Sequence, residues 1–198
     1  MKYVLYSLLL VLCLGTSSVL AQDEVRQLSV EPNHSTIAFS ISIAGFTKVI
    51  GKFTDYTIEI DWDQSNPSES KIETVIQAKS IQTGISDRDE HLCSADFFDV
   101  EKYPKVTFSS KSIKQVGDGF VAKGDFSMHG ETHEIEIPFR VVKQDGNTIG
   151  FSGKTMIRRS DFDLGTGFKH TSMPDFLSDE VEVSLDFWTK KRKAKKDN

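Results

Sequence analysis

Cysteine is almost missing from this chain: of 198 residues only Cys13 and Cys93 are cysteine, and Cys13 lies in the opening apolar segment. Once that segment is removed no intramolecular disulfide can form, so stability has to come from a packed core. Proline is scarce too, with 5 residues, and glycine has only 13, which excludes a collagen-like chain. Aromatic residues with a polar handle are few: 4 Tyr and 2 Trp stand against 14 Phe. Beyond the first segment no apolar run approaches the roughly 20 residues that a spanning helix needs. Excess positive charge is also missing. The formal charge is −5, which argues against a nucleic-acid binder. The sequence has no phosphate-cradling P-loop, no dinucleotide fingerprint, no Gly-x-Ser-x-Gly elbow and no His-Glu-x-x-His pair.

What is present starts with a targeting signal. Lys2 precedes the apolar run Val4 to Leu14, Gly15 interrupts it, and Val19-Leu20-Ala21 supplies a small-residue cut. This is the layout of a secretory signal peptide, so residues 1–21 are expected to be cleaved. Leu12 stands just before Cys13, where lipid attachment would want a small residue. From residue 22 to Thr189 there are 17 basic and 28 acidic residues. Lys190, Lys191, Arg192, Lys193, Lys195 and Lys196 then form a basic tail, residues 190–198, after an acidic domain, residues 22–189. Such a tail reads as a solvated, frayed end, or as a weak contact with an anionic membrane surface.

Along the body, apolar residues alternate with polar ones at period two, the mark of half-buried strands. Ile37, Phe39, Ile41 and Ile43 alternate with Ala38, Ser40 and Ser42. Tyr56, Ile58, Ile60 and Trp62 do the same, as do Ile72, Thr74 and Ile76. Ile135, Ile137, Phe139 and Val141 follow, then Val181, Val183, Leu185 and Phe187. Loop chemistry at 64–68, 117–119, 128–131 and 144–147 separates such runs. Pro138, inside a strand-like run, implies an edge, a bulge or a solvent-side position. One segment departs from the pattern: Ser86 is placed as an N-cap and Asp87 to Ser94 fit a short helix. The expected architecture is all-β, an antiparallel up-and-down barrel of about eight strands with one short helical insertion.

Four blocks carry a resemblance. They are Ser29-Val30-Glu31-Pro32-Asn33-His34-Ser35, the long run Arg88 to Pro104, Gly124 to Thr132, and Ile149-Gly150-Phe151 through Arg159-Ser160-Asp161-Phe162. In this order they resemble the YceI-like family of exported lipocalin-like proteins, over Leu28 to Phe187. The resemblance implies a hydrophobic tunnel for a long-chain amphiphile, such as a polyisoprenoid, an isoprenoid quinone or a fatty-acid derivative. It also implies a bacterial periplasmic or secreted location and a homodimer. It implies no catalytic activity and no required cofactor.

With that resemblance in hand, the lining candidates are Phe39, Ile41, Phe46, Phe108, Phe126, Ile137, Phe139, Phe151, Ile157 and Phe162. Phe97 and Phe98 are candidates for a lid. Arg88, Asp89 and His91, together with Arg158, Arg159, Ser160 and Asp161 at a strand end, are candidates for a polar mouth. The same apolar residues would equally fill a solid core, because period two does not separate lining from core. The polar groups would equally serve as structural ion pairs. His129 and His133 are four apart, but Gly130 places a turn between them, so no metal site is expected. An enzyme acting on an isoprenoid-type lipid, and a filled-barrel interaction module, are the competing readings.

Overall fold

A computed structural model describes residues 25–193 apart from 147, 172, 174 and 175. The expected signal peptide and the end of the basic tail, residues 194–198, lie outside the described residues. Six short strands come first: β1 (Arg26–Val30), β2 (Thr36–Ile43), β3 (Thr47–Phe53), β4 (Tyr56–Trp62), β5 (Lys71–Gln77) and β6 (Ile81–Gln82). The helix α1 (Ser86–Cys93) follows. Five longer strands complete the chain: β7 (Lys105–Val116), β8 (Gly119–Met128), β9 (Glu131–Asp145), β10 (Thr148–Arg158) and β11 (Leu177–Lys191).

These strands make one closed antiparallel barrel. β1 and β2 lie end to end along β11 and act as a single stave. β3 and β4 form the second stave, because β3 pairs with β2 and β4 with β1. β5 and β6 form the third, pairing with β4 and β3 in turn. β7 to β11 add one stave each, and the β1–β11 pairing closes the ring at eight staves in up-and-down order. Closure pairs the two edges that an open sheet would expose.

The connections sort to two ends. Those after β4, β7 and β9 lie at one end, the floor; those after β2, β6, β8 and β10 lie at the other, the cap. The β8–β9 loop holds His129 at φ 52 and Gly130 at φ 88, the two left-handed positions of a tight hairpin turn. On β7, Val106 and Phe108 face inward; a register shift between Ser110 and Ser112 then lets Ile113 face inward as well. One extra residue reverses the parity of all that follows. Gly124 sits opposite this bulge, and a Cβ there would lie 2.2 Å from the Ser109 carbonyl oxygen.

Pro138 points outward and is exposed. The β8–β9 ladder runs past it without a break, through the Val121–Pro138 pair. Its missing N–H therefore faces β10, and the β9–β10 ladder stops next to it, at Phe139–Gly153.

Two expectations change. Ser86 is inside α1 rather than its N-cap, which is Ile85 and makes no side-chain cap. The order comes from Asp89 instead: its Oδ1 accepts from the Thr83 N–H at 2.9 Å and from Thr83 Oγ1, pinning the approach to the helix. The tail boundary at 190 also falls too early. Lys190 and Lys191 belong to β11 and pair with Ser29 and Leu28. Arg192 continues the closure, donating its backbone N–H to the Gln27 carbonyl at 2.8 Å and its guanidinium to Leu28 O, with Asp61 and Glu59 beside it. Backbone pairing to β1 holds Lys190 and Lys191 to the barrel wall, and carboxylates on β4 hold Arg192.

The floor is solid. Trp62 meets Phe120, Phe151 and Phe139 edge-on, with ring centroids 4.9, 5.4 and 6.0 Å away. Leu28, Ile113, Ile149 and Thr189 are fully buried around it. The Thr189 hydroxyl is satisfied across the strands, donating to Ile149 O at 2.8 Å and accepting from Ile149 N at 3.2 Å.

Candidate ligand cavity

Above the Trp62 floor the barrel is hollow. The inward positions enclose a cavity of about 680 Å³ that reaches the cap. This volume lies within the roughly 300–1,000 Å³ of small-molecule sites. The wall follows strand parity. β2 contributes Ile37, Phe39, Ile41 and Ile43; β4 contributes Ile58 and Ile60; β11 contributes Val181, Val183, Leu185 and Phe187. Because successive Cβ atoms point to opposite faces, a period-two sequence yields one continuous apolar wall.

Most lining candidates fall on that wall: Phe39, Ile41, Phe108, Phe126, Ile137, Phe139, Phe151 and Ile157. Two do not. Phe46 lies outside the cavity and is 82% exposed. Ala44 at φ 52 and Gly45 at φ 76 turn the chain between β2 and β3, so the alternation that would have carried Phe46 inward has already ended. Phe162 is buried but sits beside the cavity in a 3-10 turn, Arg159–Phe162, with its ring edge-on to Phe126 and His133.

The cap is aromatic. Phe97 and Phe98 are buried and both reach the cavity. Phe98 meets Phe53 edge-on at 5.9 Å; Phe97 meets His91 at 5.1 Å and Phe168 at 5.4 Å. Gly165, at φ +63, lets the loop after β10 pass directly over Phe97; a Cβ there would lie 2.5 Å from the ring. The cap is thus built from α1, the turn after it and the β10–β11 connection.

The polar candidates divide by the face on which they lie. Arg88 and His91 line the cavity; Asp89, Arg158, Ser160 and Asp161 do not. Asp89 is engaged with Thr83, as described above. Arg158 points to the outside, where its Nε donates to Asp179 Oδ2 at 3.2 Å with Asp161 at 3.9 Å. Ser160 binds the same carboxylate through its N–H at 2.9 Å and its Oγ at 2.7 Å. Burial works against ionisation of Asp179, but the bonds from Ser160 and Arg158 outweigh it and hold its pKa below the ordinary carboxylate range.

Arg159, named with Arg158 at the strand end, lines the cavity where Arg158 does not. Parity carried the signal: Ile157 faces in, so Arg158 faces out and Arg159 faces in. Phe53, Phe168 and Phe176 line the cavity and were missed in the sequence. Phe168 and Phe176 lie in an irregular connection, where no period exists to read.

Other candidates fall elsewhere. His129 bonds to Phe162 O through Nδ1 at 3.1 Å, and His133 packs on the Phe162 ring, so both brace the 3-10 turn. Cys93 is half-buried, and burial followed by the nearby charge of Asp89 pushes its thiol pKa up. A raised pKa keeps sulfur as the thiol, the less reactive form.

Fold and site together define a class: a closed eight-stranded antiparallel barrel with a blind apolar cavity, capped at one end by a helix and aromatic rings. The YceI-like domain model matches residues 28–188, and the chain belongs to that family. Protein YceI of Escherichia coli O17:K52:H18 (strain UMN026 / ExPEC) is 31% identical over 176 residues, covering 86% of this chain and 91% of the relative. Among solved structures, Burkholderia cenocepacia BcnA superposes with a TM-score of 0.74 at 23% identity, over 80% of this chain and 98% of that one. A polyisoprenoid binding domain from Saccharophagus degradans, implicated in plant cell wall breakdown, gives a TM-score of 0.69 at 17% identity, over 84% of this chain and 99% of its own. At these identities the two structures speak for the fold.

Proposed function

We propose that the protein is an exported carrier that holds one long-chain amphiphilic lipid in its barrel for transport, storage or sequestration, without chemical conversion. The ligand class is a polyisoprenoid, an isoprenoid quinone or a fatty-acid derivative. One observation carries this reading: a cavity of about 680 Å³ lined mainly by Ile, Val, Leu and Phe, with a floor sealed by Trp62. Such a cavity suits a slim chain, and each methylene buried contributes about 0.8 kcal/mol. The polyisoprenoid-binding neighbour and the shared family support the ligand class. The signal-like residues 1–21 support a periplasmic or secreted location.

The test is native mass spectrometry of the protein purified from the exported fraction, then organic extraction and mass analysis of the extract. One equivalent of an isoprenoid, quinone or fatty acyl compound is expected. An empty protein that also takes up no added polyprenol, quinone or fatty acid would overturn the carrier reading.

A further inference from the structure

The cavity wall is not electrically neutral. Among the described residues, no Asp or Glu lines it, although the body of the chain is strongly acidic. Arg88, His91 and Arg159 do line it. Lys48 also borders it, but β3 register pairs Lys48 with Ser42 on the outer face, so its side chain belongs outside.

The two arginines reach the same end of the cavity. Arg159 is held by its Nε bond to Ser178 O and its Nη1 bond to Leu164 O, both 3.0 Å. Leu164 adjoins Gly165, which passes over Phe97, and Phe97 touches the His91 ring on α1. Arg88 lies one turn before His91 and is held by bonds from Nε to Thr83 Oγ1 at 2.7 Å and from Nη2 to Thr83 O at 2.8 Å. His91 bonds to Asp96 through Nε2 at 2.8 Å.

Each guanidinium is thus positioned by neutral oxygen atoms and keeps further N–H donors. Among the described residues neither Arg88 nor Arg159 forms an ion pair. Asp89 faces Arg88 across the shared Thr83 hydroxyl, without a direct contact. Arg158, one residue away on the outer face, has carboxylate partners in Asp179 and Asp161. An unpaired cation at the mouth of an apolar cavity is poorly solvated on its inner side. A ligand that brings an anion there supplies the missing partner through charge-assisted bonds.

We propose that the cavity selects lipids with an anionic headgroup, phosphate or carboxylate, and that Arg88 and Arg159 form the headgroup subsite at the cap. This rests on the carrier reading and narrows its ligand class: a neutral quinone or alcohol of the same chain would leave both cations unpartnered.

The experiment compares matched pairs on the delipidated mature protein by calorimetry: geranylgeranyl phosphate with geranylgeraniol, and palmitate with hexadecanol. At least one anion should bind about tenfold or more tighter than its alcohol, and added salt should reduce that preference. The pair that shows it tells phosphate from carboxylate. In the double variant Arg88→Gln/Arg159→Gln the preference should vanish while alcohol binding stays. Arg158→Gln should keep the preference. If both alcohols bind as tightly as their anions, the headgroup subsite is overturned and the carrier reading stands. If none of the four binds, the headgroup subsite is overturned, and the extraction and quinone uptake described above decide the carrier reading. A folded double variant that still prefers the anion would also overturn the subsite. Where the double variant does not fold, the wild-type pairs decide.

Discussion

Trp62 shows how one side chain divides the barrel into a packed part and a hollow part. Its indole meets three Phe rings and closes the floor, and it is 1% exposed. Trp62→Ala should cost about 3–5 kcal/mol of stability, read from urea unfolding, because the surrounding staves cannot collapse into the space. Asp179 shows the electrostatic counterpart. Its pKa is lowered in the folded state, so its contribution is present above the unfolded value of about 4 and is lost as pH falls through the folded value. The stability gap between wild type and Asp179→Asn should therefore stay constant from about pH 7 to 5 and shrink below about pH 4. A gap that widens on acidification would contradict this sign.

Among the elements, β7 and β8 depend on a single close approach. The bulge in β7 brings its backbone so near Gly124 that a Cβ would meet Ser109 O at 2.2 Å and Ser110 Cα at 2.7 Å. Backbone atoms cannot yield as a side-chain end does. Gly124→Ala should destabilise by about 1–3 kcal/mol in denaturant titration, as overpacking does elsewhere. The cap follows a different rule. Its order comes from side chains that bind backbone groups, Asp89 to Thr83, Arg88 to Thr83 and Arg159 to Ser178 and Leu164, in place of a continuous ladder. It is the irregular end of the molecule that surrounds the candidate headgroup subsite, while the regular ladders build the apolar wall.

On the scale of the whole molecule, the decisive contact joins the two ends of the described chain. β1 pairs with both β4 and the last residues of β11, and this closes the ring. Ending the chain after Thr189 would remove the Lys190 and Lys191 pairings and the Arg192 bonds to Gln27 and Leu28. Thermal unfolding of such a truncation should occur at a clearly lower temperature than that of the full chain. An unchanged midpoint would mean that the clasp contributes nothing to closure.

The sequence alone was enough for five alternating runs, now β2, β4, β5, β9 and β11, for the inward face of each and for the all-β class, because these follow from a local rule. In a strand neighbouring side chains point to opposite faces, so greasy and wet residues must alternate along a half-buried wall. The resemblance in the Arg88–Pro104 block carried the family and the tunnel. Where the local rule stopped, so did the reading. Phe46 follows a turn with two left-handed residues, Phe162 sits in a 3-10 turn, and Phe168 lies in an irregular connection, so none has a period that assigns it a side. Parity separates Arg158, facing out, from Arg159, facing in, two residues that the strand-end motif alone groups together. Two properties rest on contacts between residues far apart in the chain. The basic residues after Thr189 became part of the wall because β1 and β4 offered backbone and carboxylate partners more than a hundred residues earlier. The barrel is hollow above Trp62 and solid around it because strand register stacks large rings at one end only, and the same apolar alphabet writes both parts.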